Sequence, residues 1–382
     1  MAQNEKLDEI REEIDEIDAN MIKLFTRRMR LADDIAEVKR EGNISLINYE
    51  REEKVVQNAI DAAYPGLEGE AVTFVRSVMA LSKSRQREKL YGSADEYFFP
   101  APREPLKENV TVAYEGMPGS WGEVAARNFY CGSGMLPAAT YEDVFAAVKD
   151  GRASYGVVPI ENALTGGVGE VHDLLRKYGC YIVGQTWVEK VYCLMGQAGT
   201  RLEDIKQVYS HPRVFGQCEE FLKGRSWELA TSRTVARGAE KAALAADPHV
   251  AAIAPPRAAE VSGLTVLHPG INTYGCEKTR YILISGTPEY NENCDTVSVI
   301  FRVLHRSGAL VDTLFPLMSE NVNMKRLESR PVADGKYCFF CDMEGNIRDD
   351  SVRRALQSAA ASCGYLEVLG CFPSETQTRY VN

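Results

Sequence analysis

No stretch of this sequence approaches the ~18–20 uninterrupted apolar residues that cross a bilayer. Its first twenty residues, MAQNEKLDEIREEIDEIDAN, hold no apolar signal core. Neither membrane insertion nor secretion is therefore expected. Positive charge is in deficit: 44 Lys and Arg against 54 Asp and Glu leave a net −10. That argues against a nucleic-acid coat or an anionic membrane surface as partner. A small anionic substrate is still allowed, because a pocket needs only a few local cations. Histidine is scarce, at 5 residues, and His172, His211, His249 and His268 lack metal-ligand spacing. No Ser-His-Asp motif is present. Of the 10 cysteines only Cys338 and Cys341 form a CxxC, without a second pair, so reduced cytosolic thiols are expected rather than a zinc site or disulfide framework. No cofactor or metal is called for.

What is present divides the 382 residues into three segments, in keeping with roughly 100–200 residues per domain. Residues 1–90 read as all helix. From Met1 to Arg40 there is no Gly or Pro, and Leu7, Ile10, Ile14, Ile17, Met21, Leu24, position 28, Leu31, Ile35 and Val38 recur at alternating spacings of three and four. That is a sustained heptad, stopped by Gly42 and Asn43. The stripe would run roughly 50 Å. A single helix cannot hide it, so partner helices are expected, from a second subunit. Further helices are expected from about Tyr49 to Ala63 and from about Glu68 to Leu90. Residues 91–109, with Gly92, Ser93, Pro100, Pro102 and Pro105, read as a linker. Residues 110–286 alternate short apolar runs with helical patterns, which predicts an α/β unit of mostly parallel sheets in two lobes with a cleft between them. Residues 295–376 read strand, helix, strand, strand, helix, strand, an α+β ferredoxin-like domain.

The first segment places polar groups where a dry face should be. Arg28 is the one charged member of the heptad, and a buried unpaired guanidinium is costly, so it must meet an anion. Lys39 lies about 20° from it around the helix and Arg11 about 100° away. Glu52 extends the stripe of Val55, Val56, Ala59, Ile60 and Ala63 backwards. Ser82 and Gln86 continue the stripe of Val72, Val75, Val78 and Met79. One reading is a polar layer that fixes helix register by internal Arg–Glu pairing. The other is a pocket for a polyanion, with Arg11, Arg28 and Arg51 available to its carboxylates. Arg11, lying off the Arg28 face, would serve a neighbouring subunit's pocket.

The residues Arg11 in IREEIDEID, Arg28 in TRRMRLA, Lys39 in VKR, Arg51-Glu52 in YEREE and Ser82 with Gln86 in LSKSRQ make this segment resemble the all-helical chorismate mutase domain. The resemblance implies a dimer with swapped long helices and Arg11 crossing to the partner's site. It implies Arg28 on a substrate carboxylate, Lys39 and Gln86 at the breaking ether oxygen, and Glu52 at the substrate hydroxyl. Asn48 stands where the family often has Asp. Rearrangement of chorismate to prephenate is intramolecular, so it needs orientation and fixed cations rather than a cofactor.

In the middle segment several loops follow strands and open helices. They are EGMPGSWGEVAA (115–126), VPIENALTGGVGEVHDLL (158–175) with Glu161, Asn162 and Thr165, YSHPRVFGQC (209–218) with Ser210 as a plausible cap, and TSRTVARGAEKAA (231–243) with Ser232 and Thr234. EKTRYILI (277–284) adds Thr279 and Arg280 at a strand edge. Each could be ordinary capping; together on an α/β frame they favour a ligand cleft. The VPIEN, YSHP and Thr279-Arg280-Tyr281 runs resemble prephenate dehydratase. That implies a two-lobed fold like type II periplasmic binding proteins and loss of hydroxide and carbon dioxide to give phenylpyruvate. Thr279 would be the hydroxyl donor and Arg280 a carboxylate binder or helper, with Asn162 and Thr165 orienting substrate. The chain departs from the family at Trp121-Gly122, Pro255, Glu277 and Tyr281. These departures keep open an arogenate preference, or a cleft that only binds in an amino-acid-responsive protein.

In the last segment GALVDTLFPL (308–317), LESRP (327–331) and VLGCFPSE (368–375) resemble the ACT regulatory domain. The resemblance implies L-phenylalanine bound between two such domains through Gly308-Ala309-Leu310 and Glu328-Ser329-Arg330-Pro331, with feedback inhibition.

Overall fold

The computed structural model describes residues 2–42, 44, 48–91, 99–132, 134–275, 277–332 and 337–380. The helix-stopping Asn43 and the linker's Gly92 and Ser93 lie outside them. The first three elements are helices α1 (Ala2–Glu41), α2 (Tyr49–Ala62) and α3 (Glu68–Tyr91). Lys39 and Arg40 sit in the last turn of α1, where cations complement the helix dipole. Asn48 caps α2, its side chain accepting from the Arg51 N–H at 2.9 Å. In its C-terminal half α1 buries Met29, Ala32 and Ala36, facing Val78, Met79 and Ser82 of α3. The heptad stripe is turned away from that contact. Leu7, Ile10, Ile14, Ile17, Met21, Leu24, Leu31, Ile35 and Val38 are 42–67% exposed.

The first lobe begins with β1 (Thr111–Glu115), α4 (Trp121–Phe129), β2 (Tyr130–Cys131), β3 (Gly134–Ala138) and α5 (Tyr141–Lys149). It continues with β4 (Tyr155–Asn162), β5 (Gly166–Gly167), α6 (Gly169–Tyr178) and β6 (Tyr181–Lys190). The second lobe comprises β7 (Cys193–Gly196), β8 (Gln207–Ser210), α7 (Pro212–Gln217), α8 (Glu219–Leu222), β9 (Glu228–Thr231), α9 (Val235–Ala245), β10 (Val250–Ala254), α10 (Pro256–Ser262) and β11 (Thr265–His268). The chain then returns to the first lobe as β12 (Glu277–Ser285). The second lobe's sheet runs β11-β7-β10-β8-β9.

The expected mostly parallel sheets are mixed. β1 is parallel to β3 and β4, and β8 to β9 and β10. However, β12 is antiparallel to both its neighbours, β4 and β6, and β7 to β10 and β11. The chain crosses between lobes twice, and the strands next to a crossing run against those built by local strand–helix units.

The last segment is β13 (Thr296–Arg302), α11 (Ala309–Ser319), β14 (Met324–Pro331), β15 (Tyr337–Glu344), α12 (Asp350–Ser362) and β16 (Tyr365–Phe372), followed by β17 (Arg379–Tyr380). Its strands order β14-β15-β13-β16, all antiparallel. They continue the first lobe's sheet: β16 pairs with β6 at Gly370 and Ile182, giving one ten-stranded sheet. A Cβ on Gly370 would strike the Ile182 carbonyl, so the junction requires glycine there. Ile300, Phe340, Leu369 and Phe372 share one core with Val144, Leu175 and Ile282 of the first lobe. The helical segment also touches this unit, α3 packing on α11 and α12 with Ser84 and Ser358 hydroxyls 2.9 Å apart. No described helix is long and apolar enough to cross a membrane.

Candidate functional sites

The three N-terminal helices enclose a cavity of about 380 Å³. Of the seven residues expected to form a site here, Arg28, Lys39, Arg51, Glu52, Ser82 and Gln86 line it, with Asn48 and an apolar wall including Leu31, Ile35, Val55 and Met79. Arg28 donates to the Val78 carbonyl at 3.1 Å and to the Ser82 hydroxyl. It is therefore held in place, with no acid paired to it among the described residues. Burial lowers its pKa, but a guanidinium stays charged. Burial also lowers the pKa of Lys39, partly offset by the charge of Glu52. Glu52 pairs with Lys83 at 3.2 Å. The buried Gln86 Oε1 has no hydrogen-bond partner among the described residues. Among the described residues lining it, the four cations Arg28, Lys39, Arg51 and Lys83 stand with one acid, Glu52, three more positive charges than negative.

Sequence reasoning missed Lys83. It lies on α3 three residues before Gln86, a spacing that could have marked it. Arg11 is not in the cavity. It is solvent-exposed, paired with Asp8 one turn earlier at 3.2 Å, and roughly 25 Å from Arg28 along the helix.

The second constellation forms where β12 leaves the crossing between lobes. Strand alternation decides its membership. Glu277, Thr279 and Tyr281 share one face of β12, and all three are buried. In register, Thr279 faces Asn162 of β4, and Glu277 faces Lys190 of β6. Asn162 Nδ2 donates to the Thr279 hydroxyl oxygen at 3.1 Å and to Glu277. Its Oδ1 accepts from the backbone of Leu164 and Thr165 at 2.9 and 3.1 Å. From the second lobe, Arg213 pairs with Glu277 at 3.2 Å and Gln217 donates to it. Burial would raise the Glu277 pKa, yet Lys190, Asn162, Gln217 and Arg213 together hold it below the ordinary carboxylate range. Burial lowers the pKa of Lys190, an ammonium on the same face.

Several expected members lie elsewhere. Arg280 points to the opposite face of β12, where Glu161 at 3.1 Å, Asp342 of β15 at 2.8 Å and Gln185 at 3.0 Å hold it. These contacts make its guanidinium a link between the first lobe and the last segment. Glu161 faces the same way, toward Arg280 and Arg326. Ser210 is fully buried and donates to the Ile253 carbonyl at 2.7 Å. The cap of α7 is instead His211, which accepts from the Arg213 N–H. Thr165 is exposed in the turn that Asn162 closes. Thr234 caps α9 and faces Met117 of the first lobe's glycine loop. Just after that loop, in the first turn of α4, a Cβ on Gly122 would strike the Glu115 carbonyl, so this close approach requires glycine. Lys190, Arg213 and Gln217 were not singled out from sequence. The i, i+4 polar pair following YSHP was the available signal for the latter two.

In the last segment Gly308, Ala309 and Leu310 open α11 and line a cavity of about 270 Å³ with Tyr337 and Phe339. Gly308 adopts φ +78°, a conformation glycine takes without strain. Glu328, Ser329, Arg330 and Pro331 lie on β14. Glu328 abuts Gly167, and Arg330 abuts Gly169 and pairs with Asp173 of α6 at 3.3 Å. Among the described residues lining that cavity, none belongs to the Glu328–Pro331 run.

Two family models match the chain, chorismate mutase type II over residues 10–87 and prephenate dehydratase over 112–289. A bifunctional chorismate mutase/prephenate dehydratase from Enterobacter agglomerans is 29% identical over 382 aligned positions, which cover 96% of this chain and 95% of that protein. Among solved structures, a quorum-quenching acylase, GqqA, is 29% identical with TM-score 0.64 and covers 69% of this chain and 97% of its own. An Arthrobacter aurescens prephenate dehydratase in complex with L-Phe is 27% identical with TM-score 0.61 and covers 69% of this chain and 90% of its own.

Proposed function

We propose that this chain, which belongs to the bifunctional chorismate mutase/prephenate dehydratases, uses the helical cavity for the first reaction and the inter-lobe cleft for the second. It rearranges chorismate to prephenate and then dehydrates and decarboxylates prephenate to phenylpyruvate. The observation that carries the site assignment is the convergence of Arg28, Lys39, Arg51, Ser82 and Gln86 on one cavity with surplus positive charge. A dianion held there is pinned in its compact conformer, which removes orientational entropy from the barrier. Cations fixed before the reaction stabilise charge that develops on the ether oxygen. Arg28 takes a carboxylate, Lys39 and Gln86 the ether oxygen, and Glu52 the hydroxyl. Arg11 completes the site from a second copy. The exposed apolar stripe of α1 supports this reading: it is the surface that exchange of long helices in a homodimer covers.

In the cleft, Thr279 serves as proton donor to the departing hydroxyl. Its oxygen accepts from Asn162, so its own hydrogen is free for the substrate. Lys190, on the same face, replaces Arg280 as the carboxylate-binding cation. Aromatisation drives the loss of carbon dioxide. The two lobes, joined by two crossings, are read as a type II periplasmic-binding-protein-like frame. The strand order of the last segment is read as a ferredoxin-like ACT sensor. Its effector is L-phenylalanine, bound between the Gly308–Leu310 run of one copy and the Glu328–Pro331 run of another. The enzyme is placed in the cytosol.

The test is to supply chorismate and follow both products. Prephenate accumulating without phenylpyruvate removes the second activity, and unconsumed chorismate removes the first.

A further inference from the structure

We infer that Glu277 is a positioning residue for the dehydration, making the orientation of the Thr279 hydroxyl depend on the seating of the second lobe. The inference rests on the dehydratase reading and deepens it.

The starting point is chemical. An ionised carboxylate only accepts hydrogen bonds, whereas an amide in its place would both donate and accept. With Glu277 against it, the Asn162 side chain has one satisfactory orientation. Its NH₂ must face Glu277 and Thr279, and its carbonyl must face the N–H groups of Leu164 and Thr165. That orientation makes the Thr279 oxygen an acceptor and leaves the hydroxyl hydrogen for the substrate. A flipped amide would present an acceptor to Thr279, capture that hydrogen and leave the loop N–H groups unpaired.

The carboxylate is itself placed from the other lobe. Glu277 lies on β12 of the ten-stranded sheet, immediately after the chain has crossed back. Arg213 and Gln217, which hold it, lie one turn apart on α7 of the second lobe. A buried carboxylate needs these donors to remain ionised. The chain of contacts therefore runs from α7 through Glu277 and Asn162 to the reacting hydroxyl. An open or displaced second lobe loosens it at its first link.

The experiment measures kcat and KM for prephenate with the full chain, for the unaltered protein and for Glu277→Ala, Glu277→Gln, Arg213→Ala and the double Glu277→Ala/Arg213→Ala. Mutase turnover on the same samples is the control for folding. Glu277→Ala and Arg213→Ala should each lower kcat about tenfold or more while KM stays within about threefold, in the range of one lost charge-assisted hydrogen bond. Glu277→Gln, which keeps an acceptor but can turn its amide, should recover part of the loss. The double variant should be no slower than the worse single, because both act on one relay. Unchanged kcat in Glu277→Ala overturns the inference. So do multiplying losses in the double variant, or loss of mutase turnover in parallel. No phenylpyruvate from the unaltered protein removes the dehydratase reading itself, an outcome distinct from a Glu277 variant that works normally.

Discussion

Replacing Arg28 with alanine isolates the helical cavity. Arg28 is half-buried, held by the Val78 carbonyl and the Ser82 hydroxyl, with no acid as partner among the described residues. Its charge is thus available to a bound carboxylate. Removing one side of a desolvated ion pair costs about 3–5 kcal/mol. The partial exposure of Arg28 places the effect at the low end, about 3 kcal/mol, and each 1.36 kcal/mol is tenfold in rate, so kcat/KM for chorismate should fall at least a hundredfold. The fold should lose little. Ser82 still donates to Val78 at 3.0 Å, leaving no orphaned group, so the stability cost should be about 1 kcal/mol or less. Arg28→Lys should restore only part of the activity, because an ammonium cannot make the paired contacts of a guanidinium. Chorismate loss and phenylpyruvate formation from supplied prephenate are followed on the same preparation. A fall of less than tenfold for chorismate, or an equal fall in both activities, would refute a charge-based mutase site separate from the cleft.

Thr279→Val, which keeps the shape and removes the hydroxyl, should cut dehydration of prephenate by at least a hundredfold with mutase turnover intact. Ile14→Asp/Ile17→Asp puts two charges into the exposed stripe of α1. It should shift the chain toward monomer in sedimentation and abolish mutase activity, because the cavity then lacks Arg11 from a partner. Arg330→Ala should weaken inhibition by L-phenylalanine at least tenfold while basal dehydration is kept, as read from inhibition curves.

Much of this arrangement was legible because it rests on short-range periodicity. The heptad of α1, its end near Gly42 and the polar interruptions at Arg28, Glu52, Ser82 and Gln86 are all spaced by the helix repeat. Six of the seven expected residues consequently met in one cavity. The strand–helix alternation likewise marked the middle segment as α/β. The short strands β3 and β9 carry little of that signal: GMLPA contains a proline, and ELAT is too brief for an alternation to stand out.

What could not be read is the set of relations fixed by long-range register. Thr279 and Arg280 are adjacent in sequence and were assigned to one substrate. A strand sends neighbours to opposite faces, and only the pairing of β12 with β4 and β6 reveals which face the cleft owns. Thr279 and Arg280 therefore face opposite ways, and Arg280 meets three partners from β4, β6 and β15. Long-range pairing also brings in two residues that were not singled out from sequence. Lys190 is brought opposite Glu277 by the register, and Arg213 is carried from the other lobe. In the proposed reading the cation facing the substrate is then Lys190, remote from the Thr-Arg-aromatic run. The arginine within that run pairs with Asp342 of the last segment, so a shift of β15 would reach the residue next to Thr279 through one ion pair. Asp342→Asn should therefore alter the response to L-phenylalanine more than it alters basal turnover. An unchanged inhibition curve would confine Arg280 to holding the two sheets together.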